Sequence, residues 1–181
     1  MEDDIYRDLW IDESAPVPIK TLDKHGQVLY IGSFSKTIAA GLRVGWLVGP
    51  EDVVKRLSDL RMQIDYGSSY VSQVLAKDLL SSGLYESHVK KVRSGLKEKR
   101  DFWLQLLEQH LGNDATWSKP VGGFFIWVTF NQDIDMRKLF KQSLDNSLLI
   151  NPGFIYNDNN LRFDYPLLIL VLERWRKVFL Y

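Results

Sequence analysis

The strongest constraint on the fold is an alternation of short apolar strands with amphipathic helices. Residues 28–34 (VLYIGSF) and 44–48 are rich in β-branched and aromatic side chains, which is typical of β-strands. Helices are predicted over 50–64, 70–80 and 85–111, where apolar residues recur at steps of three and four. This alternation of strands and helices predicts an α/β or α+β arrangement.

The pattern changes in the last third of the chain. Its expected elements are strands over 123–130, 148–151 and 161–165, a short helix over 135–144, and a terminal helix over 167–180. We therefore place a domain boundary near Gly83. Residues 84–181 would form a separate small domain after residues 1–83.

Composition excludes several classes of function. The 181 residues contain 23 basic and 23 acidic side chains, so no net charge favours nucleic acid or an anionic membrane as a partner. The absence of cysteine excludes disulfides and thiolate chemistry, and three scattered histidines give no metal-binding spacing. No apolar run approaches the ~20 residues that span a bilayer. We expect a cytoplasmic protein without a membrane partner.

One basic stretch could suggest nucleic acid, but acidic residues interrupt it on a predicted helix, so a solvated helix face is expected. Its basic members are Lys90, Lys91, Arg93, Lys97, Lys99 and Arg100.

Residues 33–46 (SFSKTIAAGLRVGW) contain the most informative chemistry in the chain. Lys36 directly follows an apolar strand, where its charge would leave bulk water and its neutral amine could attack a carbonyl. Ser33 and Ser35 offer hydroxyl groups, and Arg43 offers a fixed guanidinium suited to phosphate. Together these groups could hold a phosphorylated aldehyde. The alternative is a surface lysine with Arg43 paired to a carboxylate.

This stretch resembles the cofactor-lysine motif of class I aminotransferases, the pyridoxal-phosphate (PLP) enzymes of fold type I. The motif consists of a strand, Ser-x-Ser-Lys, a turn of small residues and Arg-x-Gly. It is similar both to aminoadipate-transaminase-like enzymes and to MocR-type regulators, whose C-terminal half is an aminotransferase-like module. The resemblance implies part of a fold type I large domain over 1–83 and an α+β small domain over 84–181.

The resemblance also implies roles for particular residues. Lys36 would hold PLP as a Schiff base and later move a proton between substrate and cofactor. Ser33, Ser35 and Arg43 would anchor the phosphate. The N-terminal EDDIY is similar to the family's Asp-x-x-Tyr element, with Asp3 and Tyr6 at the two matching positions.

By that similarity Asp3 would pair with the protonated pyridine nitrogen, and Tyr6 would donate a hydrogen bond to the phenolic oxygen of the ring. A carboxylate at that place keeps the ring cationic, which makes it an electron sink. The alternative is that the acidic residues are a frayed terminus.

Later segments resemble the family as well. Residues 120–128 (PVGGFFIWV) are similar to a small-domain strand, and 151–156 (NPGFIY) to a Pro-Gly-x-x-aromatic turn. Arg162 would bind the substrate α-carboxylate through its planar fork. Ser68 and Ser69 lie in a loop that approaches the neighbouring subunit's cofactor in dimeric relatives.

The likeness extends from residue 2 to about residue 163 and covers only the C-terminal portion of the family. We expect an aminotransferase module that is incomplete at its N-terminus, binds PLP weakly or not at all alone, and acts on an amino acid and a 2-oxo acid as a homodimer. One alternative is the effector or dimerisation module of a MocR-type regulator. Another is a stable dimeric remnant without activity.

Overall fold

The computed structural model describes residues 1–67, 69–156 and 167–171, the last five as a strand. Two compact units are present, the first comprising Met1–Gly95 and the second beginning at Leu96. The boundary near Gly83 stays a prediction. Ser68, Arg162 and the expected strand over 161–165 lie outside the described residues.

The first unit contains a three-stranded sheet of β1 (Glu2–Asp3), β2 (Tyr30–Ser33) and β3 (Gly45–Val48), in that order. β1 runs parallel to β2, and β3 runs antiparallel to it. The acidic N-terminus is therefore not frayed. Its amides continue the pairing with β2, since Glu2 N donates to Leu29 O at 2.8 Å and Asp4 N donates to Ile31 O at 3.0 Å.

Three helices follow the sheet, close to the predicted bounds: α1 (Glu51–Ile64), α2 (Tyr70–Ser81) and α3 (Leu84–Leu111). Ser69 is the N-cap of α2, and its hydroxyl accepts a hydrogen bond from the Ser72 amide at 3.3 Å. That capping bond fixes the start of α2, so the Ser69 side chain has a structural use within the chain.

The apolar face predicted on α1 is present but not covered within this structure. None of the residues of α1 is buried, and Leu57, Leu60 and Ile64 are 41%, 50% and 78% exposed. Large exposed apolar faces are rare on proteins that exist as monomers.

The core of the first unit forms beneath the turn that follows β2. Phe34 is buried, and its ring centroid lies 4.8 Å from that of Trp46 and 5.6 Å from that of Tyr85. Trp46 in turn covers Gly32, where an added Cβ would lie 2.3 Å from two carbons of the indole. The close approach of this ring requires glycine at position 32.

The second unit contains an antiparallel sheet in the order β4–β5–β7–β6. Its elements are β4 (Ala115–Trp117), β5 (Phe125–Phe130), α4 (Met136–Asp145), β6 (Asn151–Pro152) and β7 (Leu167–Val171). The inward side of β5 carries the centre of this core, since Ile126 and Val128 are fully buried.

Two predicted elements of this unit are wrong. Residues Leu167–Val171 form β7 between β5 and β6, not the start of a terminal helix. A short run that is apolar on every side has no periodicity to separate a central strand from a buried helix. The strand expected over 148–151 is instead confined to Asn151–Pro152, because a turn with Ser147 at φ 59° follows α4. Residues 172–180 of the expected helix lie outside the described residues.

Candidate functional site

The topology of the first sheet brings three chain segments to one edge. β1 and β2 are parallel, so the segments that leave them, with Tyr6 and Lys36, emerge at the same end of the sheet. β3 begins at that end because it is antiparallel to β2, with Ser33 opposite Gly45. Arg43 lies two residues before the start of β3. Segments far apart in sequence therefore meet at this edge.

Lys36 and Tyr6 lie close together at the edge. The Lys36 Nζ is 5.7 Å from the centroid of the Tyr6 ring, within the range of a cation–π contact. The sheltered environment that we expect for Lys36 is not present, because its side chain is exposed in this structure. The three-stranded sheet ends beside it, so the described residues of the first unit leave the amine accessible to water.

The three adjacent N-terminal carboxylates have different surroundings. The Glu2 carboxylate accepts from two successive backbone amides, beginning with Ile19 N at 2.8 Å. Asp4 forms an ion pair with Arg7, with Oδ2 and Nη1 separated by 3.0 Å. Asp3 is exposed and accepts a long hydrogen bond, 3.4 Å, from the amide two residues on. Asp3 is therefore the carboxylate of this run whose present bond is most easily exchanged for a ligand.

Hydrogen bonds within the turn after β2 fix its path. The Ser33 hydroxyl accepts from the Ser35 amide at 3.1 Å and donates to the Val44 carbonyl at 3.3 Å. The Phe34 amide donates to the same carbonyl at 3.0 Å. Since a hydroxyl has one hydrogen, Ser33 can donate to a phosphate only by giving up its bond to Val44. The predicted phosphate contact of Ser33 stays a prediction.

Arg43 has an unusual backbone and an open side chain. Its φ and ψ are 53° and 32°, the left-handed region that costs a non-glycine residue energy. The guanidinium is exposed, and Nη1 donates to the Ala40 carbonyl at a long 3.5 Å. Within the described residues no carboxylate forms an ion pair with it. This strained conformation presents a guanidinium able to bind an anion.

Sequence reasoning missed a group of polar residues on α3 that contact the two chain segments carrying Tyr6 and Lys36. The Tyr85 hydroxyl donates to Asp8 Oδ2 at 2.5 Å, and burial together with that bond raises the pKa of Tyr85 to about 12. Arg93 donates from Nε to the Asp8 carbonyl at 2.7 Å and lies 3.9 Å from the centre of the Trp10 ring. Burial lowers the pKa of Arg93.

A second contact from α3 reaches the residue after Lys36. The His88 ring, through Nε2, lies 2.9 Å from the Thr37 carbonyl oxygen and must donate to it, because a carbonyl only accepts. Thr37 is buried, and its hydroxyl makes no hydrogen bond of acceptable geometry within the described residues. That hydroxyl is near enough to Tyr85 to oppose the rise of the Tyr85 pKa, but no hydrogen bond of suitable distance and angle joins the two side chains.

The signal for these contacts was present in the helix pattern. Tyr85, His88 and Arg93 interrupt or border the apolar positions that form the inner face of α3, such as the buried Val89. Polar residues on a buried helix face need partners. The pattern indicated that partners exist without saying which segments supply them.

The basic stretch on α3 is only partly a solvated face. Arg100 is 1% exposed, and its Nη1 donates to the Pro120 carbonyl at 3.0 Å. It also pairs with Asp101, with Nη2 and Oδ1 2.8 Å apart. Arg100 and the stacked Arg93 therefore have structural roles, and the remaining lysines leave a less concentrated charge than the sequence suggested.

Solved structures define the class of protein to which this arrangement belongs. A kynurenine aminotransferase of Pyrococcus horikoshii, solved in complex with PMP, superposes with a TM-score of 0.86 over 94% of this chain and 42% of that chain, at 31% identity. The α-aminoadipate aminotransferase LysN of Thermus thermophilus gives a TM-score of 0.86 over 94% of this chain and 44% of that chain, at 26% identity. The chain has the fold of PLP fold type I aminotransferases.

The match to a family model identifies the family. Residues 1–166 match the model described as aminotransferase class I and II. The chain belongs to this family, and the predicted fold class and family resemblance are confirmed.

Several curated relatives are named as transcriptional regulators. The uncharacterized HTH-type transcriptional regulator YdfD of Bacillus subtilis is 54% identical over 168 residues, which are 91% of this chain and 35% of YdfD. The HTH-type transcriptional regulator NorG of Staphylococcus aureus (strain N315) is 47% identical over 157 residues, which are 86% of this chain and 35% of NorG. The chain thus spans about a third of the length of these relatives. None of the helices within the described residues has the length and apolar character to cross a bilayer.

Proposed function

We propose that this chain is part of a PLP-binding, aminotransferase-like module in which Lys36 holds the cofactor. The observation that carries the proposal is the placement of Lys36 Nζ 5.7 Å from the Tyr6 ring, at the sheet edge where Arg43 also lies. When bound, PLP supplies an electron-withdrawing ring that stabilises negative charge on the α-carbon of an amino acid.

The chemistry of the side chains at this edge fits the groups of the cofactor. An amine, a carboxylate, a phenol and a guanidinium correspond to the aldehyde, pyridine nitrogen, phenolic oxygen and phosphate of PLP. The carboxylate is Asp3, the acidic side chain of its run with the weakest existing bond at 3.4 Å. Arg43 presents its guanidinium to solvent, and Ser35 lies in the turn that follows β2.

Each residue has a defined task in this proposal. Lys36 would hold PLP at its aldehyde carbon, whose oxygen would leave as water, and its amine would accept and return a proton. Asp3 would keep the pyridine nitrogen protonated, Tyr6 would donate to the phenolic oxygen, and Arg43 would bind the phosphate. Arg162, by resemblance, binds the carboxylate of the amino acid.

Exposure of the amine limits affinity. Lys36 is exposed, so water competes for every contact at the site and the electrostatic interactions are weaker than in a closed pocket. We therefore expect the 181-residue chain to bind PLP selectively at Lys36 but weakly.

Trapping with borohydride tests the proposal at residue level. The chain is treated with a limiting amount of PLP or of pyridoxal, which lacks the phosphate, then reduced and mapped by mass spectrometry. We expect PLP to label Lys36 ahead of other exposed lysines, well below one adduct per chain, and pyridoxal to show no such preference. Arg43→Ala should abolish the preference, and Arg56→Ala, which removes an exposed arginine of α1, should keep it.

Three results would contradict parts of the proposal. Equal labelling of Lys36 by PLP and pyridoxal would remove the phosphate site. A PLP preference that survives in Arg43→Ala would assign the phosphate to other residues. A stoichiometric adduct at low PLP would show that affinity is high and that our expectation of weak binding is wrong.

A second candidate function, that of a regulator module, is favoured by the relatives. YdfD and NorG, at 54% and 47% identity, are named HTH-type transcriptional regulators. We propose that in such a protein this module would sense PLP or an amino acid for a DNA-binding domain, and that this segment itself does not contact nucleic acid. The coding sequence ahead of Met1 separates the two candidates: a winged-helix segment supports the regulator, and an aminotransferase large domain alone supports the enzyme.

The partners of the complete protein are proposals of the same kind. An amino acid and a 2-oxo acid would be its small-molecule ligands, it would form a homodimer, and the cytoplasm would be its location. The exposed apolar face of α1 supports an assembly that covers it, because Leu60 is half exposed. Light scattering of the chain and of Leu60→Glu tests this, and a transamination assay separates the enzyme from an inactive dimer.

A further inference from the structure

The N-terminal part of α3 contacts both segments that carry the candidate site. The Tyr85 hydroxyl donates at 2.5 Å to Asp8, two residues after Tyr6. The His88 ring donates at 2.9 Å to the carbonyl of Thr37, the residue after Lys36. Because Tyr85 and His88 are three residues apart in one helix, they lie on the same face.

Thr37 is the buried anchor of an otherwise open loop. It is 4% exposed, whereas Lys36 and the residues at 39–41 are exposed. The loop amides of Ile38 and Ala39 both turn back to the Phe34 carbonyl, at 2.9 and 3.4 Å. The His88 bond is a polar contact that ties this turn to α3.

Further contacts join α3 to the N-terminal segment that carries Tyr6. Arg93 donates to the Asp8 carbonyl at 2.7 Å and stacks on Trp10 with 3.9 Å between the guanidinium carbon and the ring centroid. Tyr85 also packs edge-on against Phe34, at a centroid distance of 5.6 Å. The N-terminal segment and the turn after β2 are therefore held by one helix through separate bonds.

We propose that His88 and Tyr85 are positioning residues that hold the Lys36 amine beside the Tyr6 ring. A loop fixed at Thr37 keeps the amine near the ring for a larger fraction of time, and binding then costs less conformational entropy. The nature of the ligand rests on the proposed function above. The restraint on the loop is a property of the chain alone.

Hydrogen exchange and borohydride trapping on the full chain test the two parts separately. His88→Leu removes the donor, His88→Gln keeps an N–H donor of similar reach, and His110→Leu removes another histidine of the same helix as a control. Losing a hydrogen bond worth about 1 kcal/mol should raise exchange of the Ile38 and Ala39 amides about fivefold. His88→Leu should also lower the preference of PLP over pyridoxal at Lys36, while His88→Gln restores most of both effects and His110→Leu changes neither.

The outcomes separate this inference from the proposed function. If the unchanged chain shows no PLP preference, the proposed function fails, and so does the positioning of Lys36 for that ligand, while exchange still reports whether His88 restrains the loop. If the preference exists and His88→Leu keeps it, the positioning role is overturned even when exchange rises.

Tyr85→Phe provides a second test in case His88→Leu unfolds. It keeps the ring against Phe34 and removes only the bond to Asp8. We expect faster exchange of the Leu9 amide, which donates to the Tyr6 carbonyl at 2.9 Å, together with a lower PLP preference at Lys36. Unchanged exchange and preference in this variant would overturn the inference for Tyr85.

Discussion

The contact between Gly32 and Trp46 gives the sharpest prediction about stability. In Gly32→Ala the new Cβ would lie 2.3 Å from two indole carbons, whereas carbon atoms in contact are normally about 3.5–4.0 Å apart. The indole must therefore move by about 1 Å or more. That movement also disturbs its packing on Phe34, where the centroids are 4.8 Å apart.

The expected cost follows from these two effects. Overpacking of this kind costs about 1–3 kcal/mol, and a disturbed aromatic pair loses about 0.5–1.5 kcal/mol. Replacing glycine within a strand returns about 0.5–1 kcal/mol. Because Trp46 is 39% exposed and can shift outward, we expect a net loss of about 2 kcal/mol in the free energy of unfolding.

Urea unfolding followed by circular dichroism measures this loss. Gly41→Ala is the matched control, because no atom lies within 4 Å of the place its methyl group would take, and its stability should change by less than about 1 kcal/mol. Trp46→Leu should relieve the clash, so Gly32→Ala should cost less in that background. Equal midpoints for Gly32→Ala and Gly41→Ala would refute the reasoning.

Three further predictions concern buried polar groups. The pKa of Tyr85 is raised from 10.0 to about 12, so the contribution of this hydroxyl to stability is fully present below pH 10 and is lost as the pH rises towards 12. Because the side chain is partly exposed to solvent, we expect this contribution to be about 1 kcal/mol. Tyr85→Phe should flatten this part of the pH–stability curve. Arg100→Leu leaves the Pro120 carbonyl without its donor and should lower the urea-derived free energy of unfolding by about 2–4 kcal/mol. Thr37→Val removes an unsatisfied buried hydroxyl, so thermal unfolding should show equal or greater stability, and a loss above about 1 kcal/mol would contradict this.

Local patterns predicted most of the fold because they act within a few residues. The bounds of α1, α2 and α3 follow from apolar periodicity and from breaks at Asp65 and Gly83, and the structure reproduces them closely. β7 could not be predicted in the same way. Its identity depends on β5 and β6, between which it pairs, and a run that is apolar on all sides does not carry that information.

The candidate site was predictable in its residues but not in its environment. The motif around Lys36 and its order after the Asp-x-x-Tyr element follow from resemblance, and the parallel pairing of β1 with β2 explains their meeting at one edge. The exposure of Lys36 is a tertiary property that no local pattern contains. The bonds of Tyr85 and His88 likewise join positions 77 and 51 residues apart, which spacing alone cannot pair.

The ratio of Lys36 labelling by PLP to labelling by pyridoxal tests the central claim most directly. We expect a ratio well above one in the unchanged chain, and a ratio near one after Arg43→Ala. A ratio near one in the unchanged chain would contradict the assignment of Lys36 and Arg43 to a single cofactor site.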